Sequence, residues 1–367
     1  MKILFLAAAN SIHTVRWVNS LANKGLEVHL AYIKGHDPSV NELNEKVILH
    51  SLKYSGNLGY YLNMFELKKI YKKINPDVVN VHYASGYGTL ARFSNIRPCL
   101  LSVWGSDVYD FPYDNKIKMK IINKNLKFAD SLSSTSHCMA EQTKKVLSDS
   151  TKEINVIPFG VDLEEFNPAK YIKNNTDKII IGNIKTLESK YGISDLIKAT
   201  KLLLNQLNKE GKEKLSEKIE VHIYGEGSQK EELNSLIEDL NLEKKVYLKG
   251  RIKHKEVPNI LSQFTIFCCT SILDSESFGV SVVEAMAMNV PVIATDVDGF
   301  KEVIKKDCGI IIKRKDSKML YKAIYSLLVN PLLYETYKTN GRKNVINNFS
   351  WSNNVELMIN AYEKMQK

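Results

Sequence analysis

The chain has 367 residues, of which 44% are hydrophobic and 25% are charged, and both values argue against disorder. This length suits two α/β domains better than one hydrophobic core. The five cysteines are odd in number and include no Cys-x-x-Cys pair, which argues against a disulfide framework and a zinc site and favours a reducing compartment. The net charge of +10 suggests an anionic partner, although charge alone favours a lysine-rich solvated surface.

The chain opens with an apolar run, residues 1–9, which predicts a buried first strand. A signal peptide is the weaker interpretation, because the run is short and ends in the polar residues Asn10 and Ser11. No run reaches the roughly 18 apolar residues of a membrane span. We therefore expect a cytoplasmic protein.

Strand-like runs alternate with helical patterns along the whole chain, which predicts parallel sheets built from βαβ units. The predicted strands of the first half are residues 2–8, 27–32, 77–82, 100–103, 131–135 and 155–158. Those of the second half are residues 178–184, 220–224, 245–249, 265–269, 291–295 and 310–312. The expected fold is α/β, with two Rossmann-like doubly wound domains facing across a cleft and ligands beyond the carboxyl ends of the strands.

The polar stretch 170–177, rich in Asn and Lys, predicts the linker between the domains. The first domain is then residues 1–169 and the second is residues 170–349. Residues 350–367 form a last amphipathic helix, which either caps the second domain or crosses back to the first.

Polar side chains follow three predicted strands of the first domain. His13 follows the first strand, His82 ends the strand at 77–82, and Trp104 and Asp107 follow the strand at 100–103. A histidine or an aspartate at this edge can bind a substrate hydroxyl or take its proton. We favour such a role for His13 and Asp107, whereas His82 is better explained as a core residue.

A basic amphipathic helix is predicted around residues 115–129, which contain no acidic residue. It is either a solvated helix face or a contact with an anionic membrane. Its lysines are Lys116, Lys118, Lys120, Lys124 and Lys127, and a second basic stripe contains Lys68, Lys69, Lys72 and Lys73.

Two lysines, Lys185 and Lys190, follow the first strand of the second domain. At that position they can supply the fixed positive charge that a leaving diphosphate requires, or they are ordinary surface lysines. Gly225 and Gly227 follow the next strand and would let the backbone approach a phosphate or a base. A plain turn between a strand and a helix explains these glycines equally well.

A pair of acids, Glu276 and Glu284, lies eight residues apart around the Phe278-Gly279 break. The first lies in a loop and the second in the following helix, whose N-terminus would face a phosphate. This spacing can place one carboxylate on a sugar hydroxyl and the other on a ribose. The second-ranked interpretation is a capping box, with Ser281 and Glu284 closing the helix start.

Asp296 and Asp298 are spaced like an Asp-x-Asp metal site, yet they fit a turn that leads into a helix. We take that structural interpretation, and we expect neither a metal nor another cofactor.

Taken together, these motifs resemble the retaining glycosyltransferases of the GT-B fold, specifically glycosyltransferase family 4. The similarity covers nearly the whole chain and is densest in the second half. It is carried by residues 156–162 with Phe166 and Pro168, by residues 276–287, by residues 291–296 and by Glu302.

The resemblance implies a role for each matching residue. Glu276 would hold hydroxyls of the donor sugar, and Glu284 would bind the ribose. The backbone amides of Phe278, Gly279 and Val280 would lie near the sugar and the diphosphate, and the backbone at Arg251 and Ile252 would meet the base.

This chain departs from the family pattern at three places. Lys185 stands where the family usually has an arginine, so the charge is kept without the bidentate fork. Residues 10–13 replace a glycine-rich loop, and Trp104 replaces a histidine, both on the acceptor side.

The implied reaction is transfer of a hexose, with retention, from a nucleotide-sugar, UDP-linked by preference, to a saccharide or lipid-linked saccharide in cell-surface glycan synthesis. Lys190, Lys185 and Glu276 are the expected catalytic residues. The alternatives are a sugar-nucleotide epimerase of the same fold and a non-catalytic nucleotide-sugar-binding subunit. A nucleic-acid partner is not expected, because the chain lacks a basic-aromatic platform.

Overall fold

The computed structural model describes residues 1–38, 43–174 and 177–366, which form two compact units. Unit 1 contains Met1–Phe159 and Ser352–Lys367, and unit 2 contains Gly160–Trp351. The division therefore precedes the predicted linker. Residues 170–174 and 177 lie within unit 2, and residues 175 and 176 lie outside the described residues.

Unit 1 is an α/β sandwich around a sheet that is parallel throughout. Its strands are β1 (Lys2–Leu6), β2 (Glu27–Lys34), β3 (Ile48–Ser55), β4 (Val78–His82), β5 (Cys99–Ser102), β6 (Ser131–Ser134) and β7 (Asn155–Val156). Its helices are α1 (Ile12–Asn23), α2 (Gly56–Leu62), α3 (Met64–Ile74), α4 (Gly86–Ser94), α5 (Ser106–Tyr109), α6 (Lys116–Phe128) and α7 (His137–Leu147). Within the described residues, the strand order is β3-β2-β1-β4-β5-β6-β7.

Unit 2 repeats the same plan. Its strands are β8 (Ile179–Ile184), β9 (Ile219–Tyr224), β10 (Val246–Gly250), β11 (Ile266–Cys269), β12 (Val292–Thr295) and β13 (Ile310–Ile312). Its helices are α8 (Ile193–Lys209), α9 (Glu213–Lys218), α10 (Lys230–Asp239), α11 (Val257–Gln263), α12 (Val280–Ala287), α13 (Asp298–Val303), α14 (Ser317–Val329) and α15 (Pro331–Asn348). For the part of the chain that is described, the strand order is β10-β9-β8-β11-β12-β13.

The central strands read as apolar runs because helices cover both faces of each sheet. In β1, Ile3, Leu4, Phe5 and Leu6 are all fully buried. The prediction of a doubly wound parallel sheet in each half of the chain is confirmed.

One strand, β3, has no counterpart among the predicted strands. It lies at the edge of its sheet, and along it Leu52 is buried while most of its neighbours are exposed. An edge strand with one covered position carries neither an apolar run nor a regular alternation, so the sequence pattern does not reveal it.

The last helix, α16 (Trp351–Gln366), contributes to the core of unit 1 from Ser352 onward. From Ser352 onward its buried apolar side chains are Val355, Met358, Ala361 and Tyr362, at the spacing of one helix face. Among the described residues, no helix is both long enough and apolar enough to cross a membrane.

Candidate functional site

The candidate site lies at the carboxyl edge of the unit 2 sheet, where the strand order reverses. The chain runs outward from β8 to β9 and β10, then returns to place β11 on the other side of β8. The loops after β8 and β11 therefore part from each other, and doubly wound sheets bind ligands in the crevice so formed. Lys185 follows β8 directly, and Glu276 lies between β11 and α12.

Lys185 and Glu276 form a largely buried ion pair across this switch point. Nζ of Lys185 lies 2.5 Å from Oε2 of Glu276, and the two side chains are 16% and 13% exposed. Burial alone would lower the pKa of Lys185, but the negative charge of Glu276 outweighs it, and the net pKa lies above its ordinary value. Lys185 is thus held as a cation where the motif predicts a negatively charged ligand.

Lys190 and Lys185 contact the same aromatic ring, that of Tyr191. The Nζ atoms of Lys185 and Lys190 lie 4.8 and 5.2 Å from the ring centroid of Tyr191, within the range of a cation–π contact. The backbone carbonyl of Tyr191 accepts a hydrogen bond from Oγ1 of Thr270, just beyond β11. The structure therefore gathers the two predicted lysines around Tyr191, a residue that the sequence analysis did not single out.

Gly225 and Gly227 are explained by contact between two loops. A Cβ on Gly225 would overlap the carbonyl oxygen of Lys185, and one on Gly227 would overlap that of Leu187. Gly225 also has φ of +151°, which favours glycine. These glycines thus let the backbone of residues 185–187 pack directly against residues 225–227. This packing fixes the position of the Lys185 backbone.

A pocket of about 460 Å³ opens beside Lys185 at the ends of β8, β9 and β10. It contains four of the predicted site residues and is lined by Ile184, Lys185, Thr186, Tyr191, Tyr224, Gly225, Glu226, Arg251 and Ile252. A volume of this order suits a small-molecule ligand, and the lining combines two tyrosines with the charged residues Lys185, Glu226 and Arg251.

The Phe278-Gly279 break sets the start of α12. Gly279 is the residue before the helix, with φ of +83°, and a Cβ there would collide with the ring of Phe300. The ring of Phe278 is buried against Phe349, with centroids 5.6 Å apart. The first amides of α12, beginning at Val280, therefore point out of the helix N-terminus, which is where an anion binds.

Glu284 does not form the alternative capping box. No side chain caps α12, and Ser281 lies inside the helix. The carboxylate of Glu284 is instead buried, with Oε1 3.0 Å from Nε2 of His254. The two atoms are within hydrogen-bonding distance, and with the carboxylate ionised Nε2–H of His254 is the donor.

His254 is a residue that sequence reasoning missed. It lies in the short 3₁₀ turn after β10, three positions beyond Arg251. Its position in the sequence could have indicated a role, because His254 is a polar residue in a loop at the carboxyl end of a parallel strand, as the predicted site residues are.

The two aspartates of the Asp-x-Asp sequence are committed to neighbouring cations. Oδ1 of Asp296 accepts hydrogen bonds from the backbone N–H and from Nε of Arg314, both at 3.0 Å, and Asp298 pairs with Lys301 at 2.6 Å. Within residues 1–38, 43–174 and 177–366, no group of three or more His, Cys, Asp or Glu side chains is placed to hold a metal ion. Metal-free chemistry stays a prediction.

In unit 1 the predicted side chains meet at the carboxyl edge of the sheet. The ring of His13 stacks on Phe159, with centroids 4.2 Å apart, and meets Trp104 edge-on at 5.5 Å. His82 is buried against Phe5 and Trp104, and burial lowers its pKa to about 3. His82 is therefore a neutral core residue.

Asp107 is fully buried, and its carboxylate is used within the fold. It accepts hydrogen bonds from the backbone N–H groups of Ala84, Trp104 and Gly105 at 2.8, 3.1 and 2.9 Å. Burial raises its pKa, although these hydrogen bonds oppose the shift. This geometry favours a role in fixing the loop that carries Trp104.

Comparison with known proteins supports one family across both units. The family models Glycosyl transferase 4-like and Glycosyl transferases group 1 match residues 2–136 and 165–344. The capsular polysaccharide biosynthesis glycosyltransferase CapM of Staphylococcus aureus is 27% identical over 383 residues, covering 95% of this chain and 93% of CapM.

Two other relatives match over less of their length. TuaC of Bacillus subtilis, named for teichuronic acid biosynthesis, is 25% identical over 69% of this chain and 61% of its own length. The poly(ribitol-phosphate) alpha-N-acetylglucosaminyltransferase of Staphylococcus aureus is 30% identical over 51% of this chain and 36% of its own length. The chain thus spans less than two thirds of each of these two relatives.

Solved structures share the fold. Sucrose-phosphate synthase from Thermosynechococcus elongatus superposes with a TM-score of 0.82 at 18% identity, covering 100% of this chain and 99% of that one. Anabaena HepE, solved in complex with UDP-glucose, gives 0.79 at 15% identity, with 99% and 100% covered. Two family models over most of the chain, a full-length relative and these folds agree with the sequence motifs, and the chain belongs to the group 1 glycosyl transferases, glycosyltransferase family 4, with the GT-B fold.

Proposed function

We propose that this protein transfers a hexose, with retention, from a nucleotide-sugar to a saccharide or lipid-linked saccharide acceptor during cell-surface glycan synthesis. The observation that carries the proposal is the Lys185–Glu276 pair at the switch point of unit 2, beside the pocket that contains Gly225, Arg251 and Ile252. The names of CapM and TuaC, from capsule and teichuronic acid synthesis, support the glycan class.

The donor is proposed to lie with its base near Arg251 and Ile252, its ribose on Glu284 and its diphosphate between Lys185 and the start of α12. A UDP-sugar is favoured because HepE, which shares the fold, was solved with UDP-glucose. In this arrangement His254 holds the Glu284 carboxylate in place.

In the chemistry proposed for the site, the bond between the anomeric carbon of the sugar and the diphosphate breaks as an acceptor hydroxyl attacks that carbon from the same face. The departing diphosphate takes the proton of the hydroxyl. Lys185, Lys190 and the amides at Val280 stabilise the charge that develops on the diphosphate, and Glu276 holds the sugar hydroxyls. Removing one such electrostatic contact typically raises the barrier by about 3 kcal/mol, which is a factor of more than a hundred in rate.

Lys190→Ala therefore should lower kcat more than a hundredfold while the protein unfolds at the same urea concentration. Lys198→Ala, on helix α8, is the matched control and should keep normal turnover. Near-normal turnover in Lys190→Ala would remove Lys190 from the site.

The donor is identified by thermal shift against UDP, GDP, ADP and their common sugars, because a ligand that binds only the folded state raises the melting temperature. Incubation with the stabilising sugar nucleotide alone then separates transferase from epimerase, since an epimerase converts the donor without an acceptor. Stabilisation by none of these compounds would contradict the proposed function.

A further inference from the structure

One helical face of unit 1 exposes large apolar side chains to solvent. Along α2 and the start of α3, Leu58 is 70% exposed, Phe65 69%, Leu62 51% and Tyr61 40%. Single exposed apolar residues are common at protein surfaces, but four of them on consecutive turns form a contiguous patch.

These four residues share one face because the backbone stays helical between the two helices. Asn63, which joins α2 to α3, has φ of −78° and ψ of 0°, and the N–H of Leu67 donates to its carbonyl at 2.9 Å. Positions 58, 61, 62 and 65 therefore follow helical spacing. The opposite face, with Gly59, Asn63 and Leu67, is the buried one, so the exposed patch plays no part in the core.

Lysines continue the same face along α3. Lys68, Lys69, Lys72 and Lys73 are all exposed, and in the described part of the chain none of them forms an ion pair. Between residues 56 and 76 the sequence contains a single acid, Glu66, whose Oε2 accepts a hydrogen bond from the backbone N–H of Lys53. The face is thus apolar over its first turns and purely cationic over the rest.

This combination fits an anionic lipid surface better than it fits a second copy of the chain. Apolar side chains gain free energy at the boundary between headgroups and acyl chains, and adjacent lysines gain from lipid phosphates. A second copy would bring another chain with a net charge of +10 against the same four lysines.

Helix α6, the basic helix predicted from sequence to meet a membrane, lacks the apolar half of this pattern. Within Lys116–Phe128, all of which the structure describes, Ile117 is the one large apolar side chain that is mostly exposed. One of its lysines, Lys118, is paired with Asp114 at 2.5 Å.

We propose that the docking face, formed by Leu58, Tyr61, Leu62 and Phe65 with the four lysines of α3, binds unit 1 to an anionic bilayer. The apolar side chains enter the boundary between headgroups and acyl chains, and the lysines lie against the phosphates. The binding itself does not depend on the proposed function, but it would place the enzyme beside a lipid-linked acceptor.

The test is co-sedimentation of the full chain with vesicles of phosphatidylcholine alone and of phosphatidylcholine mixed with phosphatidylglycerol. We expect binding to the anionic vesicles that weakens with salt, and little binding to the neutral ones. Equal binding to both vesicle types, or to neither, would overturn the proposal.

Two variants test the two halves of the docking face. Replacing Leu58, Leu62 and Phe65 by Ser should weaken binding to anionic vesicles roughly tenfold or more. Changing the four lysines to Gln should weaken it about fivefold for each lysine removed. Because all these side chains are exposed, both variants should fold normally, and an unchanged thermal shift with UDP verifies this.

The matched control changes Lys116, Lys120 and Lys124 of α6 to Gln and should keep binding within about threefold, because these lysines lie outside the docking face. Loss of binding in this control with retention in the docking-face variants would assign the membrane contact to α6 and refute the proposal. A dimer of the wild type that dissociates in the Ser variant would refute it in favour of a second copy. If the protein binds UDP but not vesicles, the docking face is refuted and the proposed function is retained. If it binds anionic vesicles but not UDP, the proposed function is contradicted and the docking face is retained.

Discussion

The buried pair of Lys185 and Glu276 yields the sharpest prediction, because it links stability to ligand binding. At 2.5 Å and an effective dielectric constant of about 20, two unit charges attract by roughly 6 to 7 kcal/mol. Taking each ion out of water costs several kcal/mol, so the net contribution of the intact pair is close to zero. Removing one partner leaves the other charge buried alone, and that typically costs about 3 to 5 kcal/mol.

We therefore expect Glu276→Gln and Lys185→Met each to lower the free energy of unfolding by about 2 to 4 kcal/mol, slightly reduced because both side chains keep some exposure to solvent. The double variant should lie within about 1 kcal/mol of the wild type. Urea unfolding at pH 7 measures this double-mutant cycle.

The pKa of Lys185 sets the pH range for this cycle. Since the folded protein raises that pKa, the stability gained by keeping Lys185 protonated is fully present below the unfolded value near 10.4 and is lost as the pH rises through the folded value. Measurements at pH 7 thus record it in full.

The exposed pair Lys338–Glu335 is the matched control, with side chains 35% and 58% exposed. Its single variants should change stability by less than about 1 kcal/mol. UDP binding gives the second readout: Lys185→Met should weaken UDP, whereas Glu276→Gln, which removes a competing acid, should not. Additive single effects below 1 kcal/mol, or UDP binding that is unchanged in Lys185→Met, would refute the reasoning.

Three further predictions concern residues around the two sheets. Gly225→Ala should destabilise unit 2 by roughly 1 to 3 kcal/mol or more and abolish UDP binding, because its Cβ would displace Lys185. The control Gly211→Ala, also at positive φ but with open space around it, should destabilise the protein less and leave UDP binding intact. The folded pKa of His82 is near 3 and the unfolded value is near 6.5, so its protonation should lower the free energy of unfolding by roughly 1.4 kcal/mol per pH unit as the pH falls between those values. In urea unfolding, His82→Leu should therefore reduce the difference in free energy of unfolding between pH 7 and pH 5. The control Phe5→Leu, at a ring that contacts His82, should leave that difference unchanged. His254→Ala should raise the donor KM about tenfold with less effect on kcat, His254→Gln should restore it, and an unchanged KM would exclude a positioning role.

Most of the fold can be predicted from the sequence, and so can the site residues that lie at strand ends or at a helix start, because these positions depend on local sequence pattern. Apolar runs bounded by turns predict the central strands, and the order of those strands along the chain places Lys185, Gly225 and Arg251 at one sheet edge. The spacing of Glu276 and Glu284 around a glycine likewise predicts a helix start between two acids, and α12 begins at Val280.

The tertiary structure decided what depends on contacts between distant segments. Lys185 and Glu276 meet only because β11 returns to the side of β8, and His254 reaches Glu284 only because the loop after β10 approaches α12. No local pattern records which partner a charged side chain meets after such a return. The burial of Asp107 follows from three backbone N–H groups that fold around its carboxylate.

The exposure of the docking face likewise depends on tertiary packing. The sequence of α2 and α3 shows apolar and basic residues at helical spacing, but periodicity alone cannot tell which face of a helix is covered. Only the packing of Gly59, Asn63 and Leu67 against the rest of unit 1 leaves Leu58 and Phe65 in solvent. The sequence by itself therefore determined most of the elements and the residue types at their ends. The tertiary structure decided which of those side chains are paired, buried or exposed, because pairing and burial depend on contacts between residues far apart in the chain.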